Sequence, residues 1–106
     1  MLKLVMLLPN GRKWDNVPVS SIQYVVCDKR LRKLVTVDRE YRLSSSLEAI
    51  EAQLPKQLFV RTHKSCIVSV SYISSIGKSE LTIAGRSLPV ARRVRPVLYK
   101  RFAKLS

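Results

Sequence analysis

His63 and Cys66 are the pair in this 106-residue chain whose types would suit a base and a nucleophile, and their spacing argues against that use. In an extended segment an offset of three tends to send two side chains to opposite faces, which argues against the imidazole taking the thiol proton. One histidine, two distant cysteines and scattered carboxylates lack the clustered spacing of a zinc or transition-metal site. The glycines Gly11, Gly77 and Gly85 stand singly and build no phosphate-cradling loop. The sequence therefore predicts no enzyme, no metal and no cofactor. Its basic side chains point elsewhere. The segments Asp28 to Lys33, Arg61 to Ser65 and Ala91 to Arg93 each interrupt apolar runs with Arg or Lys. A guanidinium offers a planar fork that matches guanine O6 and N7, while an ammonium is a mobile charge suited to a base or a phosphate.

Short strands must carry these segments. Leu2 to Leu8, Asn10-Gly11 and Lys13 to Val17 read as a hairpin, with Asn-Gly supplying the positive backbone angles of a tight turn. Ile22 to Cys27 and Lys33 to Val37 are strand-like, joined by a basic loop from Asp28 to Arg32. A short helix follows, with Ser45 as cap, Glu48 completing a capping box, Leu47, Ile50 and Leu54 on one face, and Pro55 as the stop. Strand patterns resume at Leu58 to Val60, Cys66 to Val70, Tyr72 to Ile76, Glu80 to Ile83 and Arg86 to Val90, the last two flanking an Ala84-Gly85 turn. From Val94 the apolar residues Val97, Leu98, Phe102 and Leu105 follow a helical spacing, with Pro96 acceptable only in the first turn. The expected fold is mainly β with two short helices, in one domain spanning residues 1–106.

Charge narrows the partner. The chain carries 20 Lys and Arg against 7 Asp and Glu, a net +13. From Ala52 onward eleven basic residues face the single acid Glu80. Such a balance fits nucleic acid, an anionic membrane surface or an acidic protein. No apolar run approaches the roughly eighteen residues of a membrane span, because Leu2 to Leu8 is broken by Lys3 and ends at Pro9-Asn10-Gly11. The same run is too short for a signal peptide and has no cleavage site after it. Cys27 and Cys66 sit in apolar strand-like runs where free buried thiols are expected, which points to a reducing cytoplasm. Trp14, Tyr24, Tyr41, Phe59, Tyr72, Tyr99 and Phe102 fall at apolar-patterned positions that suit a core better than an RNA-stacking sheet. An RNA-binding module and a basic protein-interaction module remain the alternatives.

Two motifs decide among them. Phe59 to Ile73, F-V-R-T-H-K-S-C-I-V-S-V-S-Y-I, and Leu88 to Arg93, L-P-V-A-R-R, resemble the signature of the LytTR family of DNA-binding domains. Phe59, Arg61, His63, Lys64, Ser65, Ile67 and Val68 match its first part, and Leu88, Pro89, Val90 and Arg92 its second. The resemblance implies an elongated stack of small antiparallel β-sheets with one short internal helix and a short C-terminal helix. It also implies double-stranded DNA as partner, bound at direct repeats, with loops in successive major grooves and a part between them over the minor groove. A receiver or sensor domain is the usual companion in the family, and no receiver is expected within these 106 residues. Carried over by position, Lys64, Arg92 and Arg32 fall on base-reading positions. Arg61 and Arg93 are candidates for phosphate. His63 either supports its loop or contacts phosphate, and Ser65 either donates to phosphate or caps the turn. Arg95, Lys100, Arg101 and Lys104 are read as solvated. Cys66 stands where an aromatic is usual, Ser69 where Asn is usual, Ala91 where Ser is usual and Val26 where an acid is common; the Ser69 and Ala91 changes remove polar groups from positions expected near DNA.

Overall fold

A computed structural model describes residues 4–106, so Leu2 and Lys3 of the expected first strand lie outside it. Strand β1 (Val5–Asn10) pairs with β2 (Lys13–Pro18) in an antiparallel hairpin. Its two-residue turn is Gly11-Arg12, with Gly11 at φ +65°, so Asn10 is the last paired residue and not a turn centre as expected. A 3-10 turn at Val19–Ser21 leads to β3 (Ile22–Asp28), β4 (Leu31–Thr36) and β5 (Glu40–Leu43), followed by helix α1 (Leu47–Gln53). Then come β6 (Phe59–His63), β7 (Cys66–Ser69), a 3-10 turn at Val70–Tyr72, and β8 (Ile73–Ile76), β9 (Glu80–Ile83) and β10 (Arg86–Pro89). The chain finishes with a 3-10 turn at Arg92–Val94 running into α2 (Arg95–Tyr99).

The strands make three antiparallel sheets: β1-β2, a central β5-β4-β3-β7-β6, and β10-β9-β8. Alternation along the central strands places one hydrophobic core on each face. Val25, Leu34, Phe59 and Ile67 pack on one side with Leu8 and Val17 of the hairpin, Leu47 and Ile50 of α1, and Leu54 just after it. Tyr24, Val60, Cys66 and Val68 pack on the other with Leu81, Ile83, Leu88 and Leu98. This layering draws the molecule out to 49 × 31 × 24 Å, an elongated stack of small sheets as expected. A polar latch holds the hairpin to the central sheet, where Asp15 Oδ2 accepts from Tyr41 Oη at 2.8 Å and Asn10 Nδ2 at 3.0 Å. The Tyr41 bond is the main reason the Asp15 carboxyl sits below its ordinary pKa.

Local details depart from the sequence expectations for identifiable reasons. Helix α1 is capped by Ser46, whose hydroxyl accepts from the Ala49 amide at 3.1 Å, so Ser45 is not the cap and Glu48 does not complete a box. Leu47, Ile50 and Leu54 are buried together as the spacing required. The tail helix is five residues long, with Pro96 in its first turn. Leu98 is its only fully buried residue, and burying one leucine is worth about 1.5–3 kcal/mol. Val97, Phe102 and Leu105 are exposed, so the apolar stripe is not absorbed by the core. Trp14 also leaves the expected core, on the outer face of the hairpin at 64 % exposure.

Candidate nucleic-acid interface

The central sheet brings the basic turns to one end. Strand β3 finishes where β7 begins, with Val26 opposite Cys66 and the Cys27 amide donating to the Ser65 carbonyl at 2.9 Å. The β3-β4 turn and the β6-β7 turn are therefore neighbours. A β-bulge adds the third segment: Arg61 faces Ile67 and His63 faces Cys66, which leaves Thr62 as the extra residue on β6. Its carbonyl accepts the Ala91 amide at 2.7 Å, fixing the Arg92–Val94 turn beside the β6-β7 turn. One step further, Val90 donates to the Ser79 carbonyl at 2.9 Å, and Arg95 Nη1 donates to the Lys78 carbonyl at 2.7 Å. Backbone bonds thus chain the β3-β4 turn, the β6-β7 turn, the Arg92 segment and the Lys78 turn along one side.

The predicted residues take different places on this edge. Lys64, Arg92 and Arg93 are exposed, and no intramolecular hydrogen bond or ion pair among the described residues engages their side chains. His63 is half-buried. Its Nδ1 accepts the Ser65 amide at 3.2 Å and lies 2.8 Å from Ser65 Oγ. An amide donor requires a lone pair on Nδ1, so in the neutral ring the proton sits on Nε2, free to donate outward. Ser65 thereby closes the turn locally.

Arg32 does not lie in a loop. The connection is the two-residue turn Lys29-Arg30, and Arg32 sits within β4 opposite Cys27 and Leu43. Its Nη1 donates to the Arg30 carbonyl at 3.0 Å and its Nε is buried without a partner. Lys29, at φ +60°, and Arg30 are the exposed cations at the tip. The motif match passed over both; the signal was the polar pair Lys29-Arg30 between two apolar runs. Arg61 turns inward. Its Nε donates to the His63 carbonyl at 3.1 Å and its Nη2 to the Lys64 carbonyl at 2.6 Å, while Nη1 reaches Glu51 at 3.1 Å and Nη2 reaches Glu48 at 3.3 Å.

Cys66 and His63 face each other across a hairpin turn, not along an extended segment. Burial pushes the Cys66 thiol up to about 11, which keeps it protonated and unreactive at neutral pH. Ser69 lies at the opposite end of β7 from the Lys64-Ser65 turn, so its replacement of Asn does not touch this edge. In the tail, Arg101 donates to the Lys56 and Gln57 carbonyls at 2.8 and 3.1 Å and Lys104 lies 4.8 Å from the Tyr99 ring centroid. Together with Arg95, these are tail fasteners and not simply solvated charges.

A stacked-sheet domain that aligns basic turns along one side is built to meet an extended anionic surface. The sequence matches the LytTr DNA-binding domain model over residues 12–103, and the chain belongs to that family. Among solved structures it is similar to the LytTr DNA-binding domain of a Bacillus cereus protein described as a methyl-accepting/DNA response regulator, at 27% sequence identity and a TM-score of 0.80. That likeness covers 93% of this chain and 96% of the other. Comparison with curated proteins returned no match. Among the described residues no helix is long and apolar enough to cross a membrane.

Proposed function

We propose that this domain binds double-stranded DNA sequence-specifically, as the output module of a bacterial transcriptional regulator working in the cytoplasm beside a receiver or sensor domain. It is a binding module and not an enzyme. The observation that carries the reading is the chained basic edge, on which Lys64, Arg92 and Arg93 keep their donors free. The Lys29-Arg30 tip and the Arg92 segment are the outer pair, entering successive major grooves, and the β6-β7 turn crosses the minor groove between them. Arg92 reads base edges in a major groove and Lys64 reads them in the minor groove, where A·T is told from G·C, while Arg93 and the Nε2–H of His63 hold phosphates. Lys29 and Arg30 take the part first expected of Arg32.

RNA stacking is less well supported, because the exposed aromatics Trp14 and Phe102 stand on the hairpin and the tail and form no shared platform. A helical turn of DNA is about 34 Å, and the 49 Å long axis lets one copy cover it. The expected complex is therefore one protein per single repeat, with two copies on a direct repeat. Sizing of the complex on one repeat, with footprinting alongside, checks this. Obligatory two-to-one binding to an inverted repeat would refute it.

A further inference from the structure

Arg61 stands in the motif as one more cation for phosphate, yet its bonding is directed into the protein. Of the five N–H donors of a guanidinium, four are used, on the carbonyls of His63 and Lys64 and the carboxylates of Glu48 and Glu51. What remains cannot present the two-pronged fork that a phosphate takes. The side chain is 22% exposed, whereas Glu48 is 75% exposed. The carbonyls it holds belong to consecutive residues of the β6-β7 turn, and the bulge at Thr62 gives this stretch of β6 an extra residue to fix. The acids it holds are on α1, which is itself anchored to the core by Leu47 and Ile50.

We infer that Arg61 is a positioning residue, a clamp that ties the Lys64 turn to helix α1 and sets the direction in which Lys64 meets DNA. The inference rests on the proposed function for its consequence but not for its geometry. Glu48 and Glu51 are the anchors of the clamp, and Arg61 offsets part of the charge of these two carboxylates beside a DNA-binding turn. The Glu48 carboxyl is held below its ordinary pKa, first by its own backbone N–H at the start of α1 and then by Arg61. A Lys in place of Arg61 keeps the charge but lacks the planar fork that spans two carbonyls and two carboxylates.

The test compares Arg61→Lys and Glu48→Gln/Glu51→Gln with the parent domain, each checked for folding by circular dichroism. On the duplex selected by the parent, both variants are expected to lose roughly tenfold in affinity, the scale of one charge-assisted hydrogen bond. On random duplex Arg61→Lys changes little, and its salt slope stays that of the parent. The double variant loses discrimination even though its net charge rises. Tighter binding of the double variant to all sequences, with the ratio of selected to random affinity kept in both variants, would overturn the clamp. A second readout needs no DNA. Exchange of the Ser65 amide, which donates to His63 Nδ1, is expected to quicken in both variants. Unchanged exchange also overturns the clamp, and a parent that prefers no duplex sequence overturns the proposed function alone.

Discussion

Raising monovalent salt from about 50 to about 200 mM is expected to weaken duplex binding by this domain roughly 10³- to 10⁴-fold, the loss that follows from about 5 to 8 phosphate contacts and a log-log slope near −5 to −7. The basic excess of the chain sets that range, with eleven basic residues against one acid from Ala52 onward. Lys29, Arg30, Lys64, Lys78, Arg92 and Arg93 are the exposed cations of the basic edge, and His63 adds an N–H donor. Arg61 does not count, since carbonyls and carboxylates of the protein already occupy four of its five N–H donors. A titration of binding against salt measures the slope directly. A value shallower than about −2 would mean that the basic edge is not the contact surface.

Arg92→Ala and Lys64→Ala are each expected to cost about 1–3 kcal/mol on the preferred sequence while relaxing discrimination at the bases they face. Arg93→Ala is expected to weaken all sequences evenly and to reduce the salt slope by about one unit, the signature of a phosphate contact. None of the three side chains has an intramolecular partner among the described residues, so truncation leaves no orphaned group behind and the folded domain is undisturbed. Binding isotherms on preferred and random duplexes, for all three variants, separate readers from anchors. Equal loss on both duplexes for every variant would contradict the assignment.

Most of the strands were legible because apolar alternation and turn residues are local signals. Gly11 and Gly85 mark hairpin turns at positive φ, and the runs around Val25 and Ile67 feed the two cores on either side of the central sheet, while Leu81 and Ile83 alternate toward one core. Non-local choices were not legible. The Ser45-to-Glu48 spacing matched a capping box, but the helix begins one residue later, at Leu47, whose burial in the core goes with Ser46 as the cap. The tail repeats a helical apolar spacing, yet only Leu98 and, in part, Val94 find a core, and the helix stops at Tyr99. Leu31 and Arg32 look like loop because they follow three charged residues, although pairing with Asp28 and Cys27 begins there. Arg61 matched the motif by type, but its acids lie 10 and 13 residues earlier on α1, and only the packing of α1 against the sheet reveals them.

Selection of binding sites from random duplex DNA tests the central claim most directly, because it asks for affinity and base discrimination at once. The expected result is an enriched sequence with two conserved blocks about 10 base pairs apart centre to centre, matching an outer pair of loops in successive major grooves. Recovery of all sequences with equal frequency, or enrichment of a single-stranded competitor in place of duplex, would contradict sequence-specific duplex binding by the basic edge.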